Sequence, residues 1–120
     1  MRVRQWFLFA ALSAFVLMLV STTAQEQGQV REFTIVGDHY AFAPAEMTVN
    51  KNDVVKITFT AKDIPHSFTI DGPYRISKRA GAGQTVTFEF RADAPGDHPF
   101  YCALTQDAKC KDMKGKLTVR

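Results

Sequence analysis

The stretch DVVKITFTAKDIPHSFTI, residues 53–70, contains two runs typical of β-strands separated by a break. In the first run Ile57 and Phe59 fall on one face and Lys56 on the other, because side chains alternate along a strand. The residues KDIP interrupt this alternation, and HSFTI begins a second run. The stretch therefore predicts two strands joined by a turn, the first with one buried and one solvated face.

Similar short runs recur along the rest of the chain at intervals near ten residues. We predict strands at 32–36, 46–50, 53–60, 66–70, 84–90, 98–102 and 116–120, with breakers such as FAPA, NKND and ADAPGD between them. Only LTQDAK (104–109) has any helical character, and it is too short to form a stable helix alone. This pattern predicts an all-β fold, a Greek-key antiparallel β-sandwich.

The N-terminus has the three-part layout of a secretory signal, with MRVR, an apolar run at 6–20 and then STTAQ. The run is shorter than the about 20 residues that a membrane span needs. We predict a signal peptide over 1–24, cleaved after Ala24, with an uncleaved membrane anchor as the alternative. A flexible lead-in at 25–30 and one domain at 31–120 follow. We expect export to the periplasm or another extracytoplasmic compartment.

Charge and motifs exclude several classes of function. The formal charge of +3 falls to +1 when Arg2 and Arg4 leave with the signal, so nucleic acid is not indicated as a partner. The chain has no serine nucleophile motif and no recognisable carboxylate pair, and AGAGQ (80–84) is a turn between strands rather than a phosphate loop. We expect a protein that is not an enzyme.

Both cysteines lie in one segment, YCALTQDAKCKDMKG, residues 101–115. In an exported protein a disulfide between Cys102 and Cys110 is the default interpretation. A disulfide leaves Met113 unexplained, however, and the loops of a sandwich gather at its ends, where His66 can meet this segment. One imidazole, two thiolates and a thioether form a soft ligand set that suits copper, Cu(I) in particular.

The order of these motifs resembles the cupredoxins. The run YAFAPAEMTVNKNDVVKITFTAKDIPHSF (40–68) is similar to the first half of that family, including its histidine ligand, and PGDHPFYC with MKGKLTV (95–119) is similar to its end. DIPHSF and the loop spacing are most similar to the copper domain of cytochrome c oxidase subunit II and nitrous-oxide reductase. The resemblance implies a cupredoxin sandwich that binds copper and transfers single electrons.

The ligand loop departs from that copper domain at two positions. There the loop reads Cys, three residues, Cys, three residues, His, two residues, Met. Here the corresponding residues are Cys102, Gln106, Cys110 and Met113. The resemblance therefore carries over His66, Cys102 and Met113 directly and Cys110 by position. It puts a binuclear centre in doubt, and a mononuclear His-Cys-Cys-Met site is the simplest inference.

Other residues near the four proposed ligands are predicted to have roles outside the copper coordination. His98 is predicted to lie too far along its strand to be a ligand. His39 is expected to be exposed, with completion of the site as the alternative, and Gln106 is expected to be a solvated loop residue, with an axial ligand role as the alternative. Four lysines crowd the loop and are predicted to steer an acidic redox partner: Lys109, Lys111, Lys114 and Lys116.

Two alternatives to electron transfer stay open. The first is a copper carrier that hands Cu(I) to an assembling oxidase, using the same soft ligands. The second is a metal-free sandwich, closed by the Cys102–Cys110 disulfide, that acts as a binding module. A membrane partner is expected only where the N-terminal segment stays uncleaved.

Overall fold

The computed structural model of the protein describes residues 28–120. The predicted signal peptide, the anchor alternative and residues 25–27 of the lead-in lie outside the described residues. Nine strands are present in residues 28–120: β1 (Val30–Asp38), β2 (Ala41–Ala43), β3 (Glu46–Val49), β4 (Val54–Ala61), β5 (His66–Ile70), β6 (Ile76–Ala80), β7 (Thr85–Arg91), β8 (Gly96–Tyr101) and β9 (Lys114–Val119). A 3-10 turn at Cys110–Asp112 precedes β9. Within these residues we find no helix with the length and apolar character that a membrane crossing requires.

The strands form two sheets, and the predicted all-β sandwich is confirmed. The four-stranded sheet has the order β2-β1-β4-β7, and the five-stranded sheet has the order β3-β9-β8-β5-β6. Among residues 28–120 five of the seven strand pairs are antiparallel, so the predicted antiparallel arrangement is correct only in part. β1 pairs with β4 in parallel, as β3 does with β9. β1 and β4 can be parallel because the chain between them crosses to the opposite sheet, where it forms β3, before it returns as β4. Parallel neighbours require such a crossover.

Two strands were missed by the sequence analysis, and both lie at sheet edges. β2 has three residues, too few for a visible alternation. β6 reads ISKRA, and its Lys78 and Arg79 are exposed at the edge of the five-stranded sheet. Short length and exposed charge are common properties of edge strands, because they discourage pairing with other chains. The segment 104–109 forms no helix; the 3-10 turn begins one residue later.

Phenylalanines fill the space between the sheets. Ile57 and Phe59 are fully buried, as the alternation predicted. The rings of Phe68 on β5 and Phe100 on β8 stack with their centroids 4.7 Å apart, and Phe42 packs edge-on against both. This cluster packs β5 and β8 of the five-stranded sheet against β2 of the four-stranded sheet. The ends of β5 and β8 position the candidate site.

Candidate metal centre

Four predicted ligands lie buried at one end of the sandwich. His66 is the first residue of β5, Cys102 directly follows β8, and Cys110 and Met113 begin and follow the 3-10 turn before β9. Their exposed fractions are 1% or less. Because β5 and β8 are antiparallel neighbours, the start of one lies beside the end of the other.

Two hydrogen bonds connect the segments that carry these residues. The backbone N–H of Ser67, next to His66, donates to Sγ of Cys102 at 3.4 Å. The backbone N–H of Cys102 donates to the carbonyl of Met113 at 3.3 Å. The structure thus brings His66 and the cysteine loop to the same end, the arrangement on which the metal hypothesis depended. Their role as metal ligands stays a prediction.

Cys102 and Cys110 form a disulfide, with their Cα atoms 5.3 Å apart. They are the chain's two cysteines, so this state contains no free thiol. A disulfide sulfur has no proton to lose and is not the thiolate that copper prefers. The prediction that both cysteines are copper ligands therefore does not hold for the oxidised protein described here, and it applies only after reduction of the disulfide.

The imidazole of His66 has two different environments. Nε2 lies 2.7 Å from Oδ1 of Asp63. Nδ1 is buried and has no hydrogen-bond partner among residues 28–120. A carboxylate only accepts hydrogen bonds, so Nε2 carries the proton, and Nδ1 keeps its lone pair because a buried N–H without an acceptor is costly. A buried imidazole nitrogen with a free lone pair fits a copper ligand.

Asp63 is unusually well anchored for a loop carboxylate. Burial alone would raise its pKa, but hydrogen bonds from the Ile64 backbone N–H, the His66 ring and the His39 backbone N–H outweigh burial and hold the pKa well below its usual range. The carboxylate is therefore ionised at neutral pH. Asp63 was not among the predicted site residues, although its position three residues before His66 was a usable signal.

His39 is exposed, as expected, with 75% of its side chain accessible to solvent. Its Nδ1 lies 2.9 Å from Asp38 Oδ1 and 3.2 Å from Asp63 Oδ2. Its backbone N–H donates to Asp63 Oδ2 at 3.1 Å. His39 is thus connected to His66 through Asp63, a role that the sequence did not reveal.

His98 and Gln106 lie apart from this arrangement. His98 Nε2 lies 2.8 Å from the Ala94 carbonyl, and its ring packs edge-on against Tyr74 at 4.9 Å. Gln106 is exposed and lines a small cavity of about 200 Å³ beside Ile64 and Leu104. Within residues 28–120 neither residue forms a side-chain hydrogen bond with the four predicted ligands.

The ligand loop is attached to the β1–β2 turn by Tyr40. Its hydroxyl donates to Asp107 Oδ2 at 2.9 Å, and the ammonium of Lys109 lies 5.3 Å from its ring centroid. The other three loop lysines, Lys111, Lys114 and Lys116, are exposed, as Lys109 is. The Tyr40–Asp107 contact was not predictable from sequence because the two residues are 67 positions apart. An open cleft of about 490 Å³ lies along the loop, and Cys102, Leu104 and Lys111 are among its lining residues.

The cupredoxin-like domain family matches residues 9–119. Nitrous-oxide reductase of Stutzerimonas stutzeri is 32% identical over 83 residues, which cover 66% of this chain. The match covers only 13% of that reductase, so this chain corresponds to a small part of it.

Solved structures share the fold at low sequence identity. Auracyanin A, a "blue" copper protein from Chloroflexus aurantiacus, superposes with a TM-score of 0.62 at 21% identity, over 76% of this chain and 99% of that chain. The metal-binding domain of the Cu(I)-exporting P-type ATPase of Streptococcus pneumoniae, solved with Cu(I), gives a TM-score of 0.62 at 18% identity, over 80% and 91% of the two chains. The family match spans nearly the whole chain, and the two-sheet sandwich agrees with it: the chain belongs to the cupredoxin-like domain family.

Proposed function

We propose that this protein binds one copper ion and transfers single electrons, with His66, Cys102, Cys110 and Met113 as the ligands of its reduced, dithiol form. The observation that supports this most is the buried Nδ1 of His66, which has no hydrogen-bond partner among residues 28–120 although it lies in the interior. Copper would supply the one-electron step by alternating between Cu(II) and Cu(I). Imidazole, thiolate and thioether together fit this metal.

The sandwich gives the proposed ligands a rigid support. His66 belongs to β5, which is buried at all five positions, and Ser67 Oγ accepts a hydrogen bond from the Ala103 backbone N–H at 2.7 Å. The loop after β8 is thereby attached to β5 at Cys102 and at the residue that follows it. A site that moves little between oxidation states favours electron transfer because less reorganisation is required.

Metal binding requires the disulfide to open. Reduction adds two electrons and two protons to the Cys102–Cys110 bond and yields two thiols, and each thiol loses its proton on binding a metal. A dithiol reductant, either a protein or a small molecule, would supply the electrons. We propose an extracytoplasmic location, where such a disulfide persists until it is reduced.

The proposed redox partner is an acidic protein. Four exposed lysines lie on or beside the ligand loop: Lys109, Lys111, Lys114 and Lys116. Like charges grouped at one end of a small protein accelerate association with a partner of opposite charge, and salt screens the effect. No catalytic role and no nucleic-acid partner is proposed.

A copper carrier is the second candidate. The proposed site has one nitrogen ligand and three sulfur ligands, and this composition favours Cu(I) over Cu(II). A carrier for Cu(I) needs tight binding of that one state, whereas an electron carrier needs both states at an accessible potential.

The test is a copper titration of the fully reduced protein without oxygen, preceded by a thiol count. We expect no thiols before reduction, two afterwards, and about one Cu(I) bound per chain. Subsequent oxidation of the copper should produce an intense visible band from thiolate-to-copper charge transfer. His66→Gln should weaken binding at least about tenfold, and His98→Gln serves as the matched control outside the site.

Each outcome distinguishes the candidates. Tight Cu(I) binding without a reversible visible band would favour the carrier. Failure of the reduced wild-type protein to bind copper would overturn both copper functions and leave the metal-free binding module. Saturation at two copper ions would contradict the mononuclear site.

A further inference from the structure

The ring of His66 is confined on two sides. Nε2 is hydrogen-bonded to Asp63, as described above. Gly37, on β1 of the opposite sheet, lies against the ring, since a Cβ at that position would be 3.1 Å from Cδ2 and 3.3 Å from Cγ. The fully buried ring therefore has little room to rotate.

The carboxylate of Asp63 is itself held in place by the chain around it. Oδ1 faces His66, while Oδ2 accepts the backbone N–H of His39 at 3.1 Å. Only 13% of the side chain is exposed. The turn after β1 and the loop after β4 thus hold the Asp63 carboxylate, which is the hydrogen-bond acceptor for Nε2 of His66.

An imidazole that carries one proton has two tautomers, and only the nitrogen without the proton can bind a metal. An acceptor placed permanently at Nε2 selects the tautomer with a free Nδ1. We propose that Asp63 is a positioning residue for the metal site, which keeps the His66 proton on Nε2 and leaves Nδ1 available to copper. The metal part of this proposal rests on the proposed function; the tautomer part does not.

The tautomer is tested without metal, by NMR of the full-length protein containing ¹⁵N-labelled histidine. We expect wild-type His66 to show a protonated Nε2 and an unprotonated Nδ1, in the disulfide form and in the reduced form. Asp63→Ala should give a mixture of tautomers. Asp63→Asn keeps one acceptor oxygen and should retain the wild-type tautomer. Asp38→Ala removes a carboxylate that contacts His39 but not His66, and should change nothing.

Copper affinity of the reduced variants provides the second measurement. Loss of a hydrogen-bonding partner of a metal-ligating histidine typically weakens binding about 10- to 100-fold. We expect a loss of this size in Asp63→Ala, a smaller loss in Asp63→Asn and no change beyond about twofold in Asp38→Ala. A role in folding alone would leave the tautomer of the folded variants unchanged.

A protonated Nδ1 in the wild-type protein would overturn the proposal, and this holds even where Asp63→Ala fails to fold. A single wild-type tautomer in folded Asp63→Ala, together with unchanged Cu(I) affinity, would overturn it as well. Absence of copper binding in the wild type would refute the proposed function and leave the tautomer result intact, so the two failures are distinguishable.

Discussion

The backbone N–H of Ser67 donates a hydrogen bond to Sγ of Cys102 at 3.4 Å, in the buried end of the sandwich. This contact joins the start of β5 to the segment that follows β8. A donor directed at a cysteine sulfur stabilises the thiolate relative to the thiol once the disulfide is reduced. Cys102 is for this reason the stronger candidate of the two cysteines for the principal copper ligand.

Cys110→His should convert the proposed site into a two-histidine, one-cysteine site. Such sites, with a weak axial methionine, are typical of blue copper proteins. We expect the Cu(II) form of this variant to have an intense blue absorption band and a higher reduction potential than the wild type, because a negatively charged ligand is replaced by a neutral one. Visible absorption and protein-film voltammetry provide the check.

The control for that experiment is Cys110→Ser, which also eliminates the disulfide but offers no imidazole. The comparison is with the wild-type protein whose disulfide has been reduced and which holds Cu(II). If Cys110→His has the same Cu(II) spectrum as that protein, residue 110 is not a copper ligand.

Met113→Leu should separate packing from metal binding. Met113 is fully buried, and a change between methionine and leucine conserves volume, so it should cost less than about 1.5 kcal/mol of folding free energy. Because leucine has no thioether, we expect weaker Cu(I) binding at little cost in stability.

Met113→Ala provides the contrast, with an expected cost of about 2–5 kcal/mol from the cavity. Urea denaturation of the metal-free protein and competitive Cu(I) titration measure the two effects. Wild-type Cu(I) affinity in Met113→Leu would show that the sulfur is only a packing group.

Phe68→Ala should be among the most damaging substitutions in the core. Phe68 is fully buried and its ring contacts those of Phe42, Phe59, Phe88 and Phe100. Truncation of such a ring costs about 3–5 kcal/mol. Because Phe68 lies two residues after His66 on the same strand, we expect lower copper affinity as well, measured beside the unfolding midpoint. Phe90→Ala, at a half-buried position on β7, is the control and should cost clearly less.

Asp53 should make folding stability sensitive to acid. Hydrogen bonds from the backbone N–H groups of Asn50 and Gln29, with the Arg31 side chain, hold its pKa below the ordinary value of 3.8. A carboxylate with a lowered folded-state pKa binds its proton more readily in the unfolded chain. Its contribution to the free energy of unfolding is therefore complete above the ordinary pKa and is lost as the pH falls below it.

Asp53→Asn should therefore lower the urea midpoint at pH 7 and flatten the decline of that midpoint as the pH falls below about 4. Asp93→Asn, at an exposed position, is the matched control. Parallel acid profiles for wild type and Asp53→Asn would show that another group causes the acid sensitivity.

The sandwich was predictable because the pattern that produces its strands lies within short stretches of sequence. Alternation in KITFT and VTFEF reveals which face is buried, and breakers mark the turns. Parallel pairing of β1 with β4 was not predictable, since the order of strands depends on how the chain crosses between the sheets. β2 and β6 escaped notice because edge strands are short or charged, and so lack the apolar alternation on which strand prediction depends.

At the candidate site, the sequence alone determined the residue types: a histidine after a turn, and two cysteines and a methionine in one loop. It left the choice between disulfide and thiolates open; the fold places the Cα atoms of Cys102 and Cys110 5.3 Å apart, a separation that allows the disulfide of the oxidised state. Tertiary structure also determined which nitrogen of His66 is free, because Asp63 is held against Nε2 by a turn 24 residues away in sequence. The type of each residue can be read from the sequence. The position of the proton on the His66 ring and the bonding partner of the Cys102 sulfur depend on which groups the folded chain brings near them.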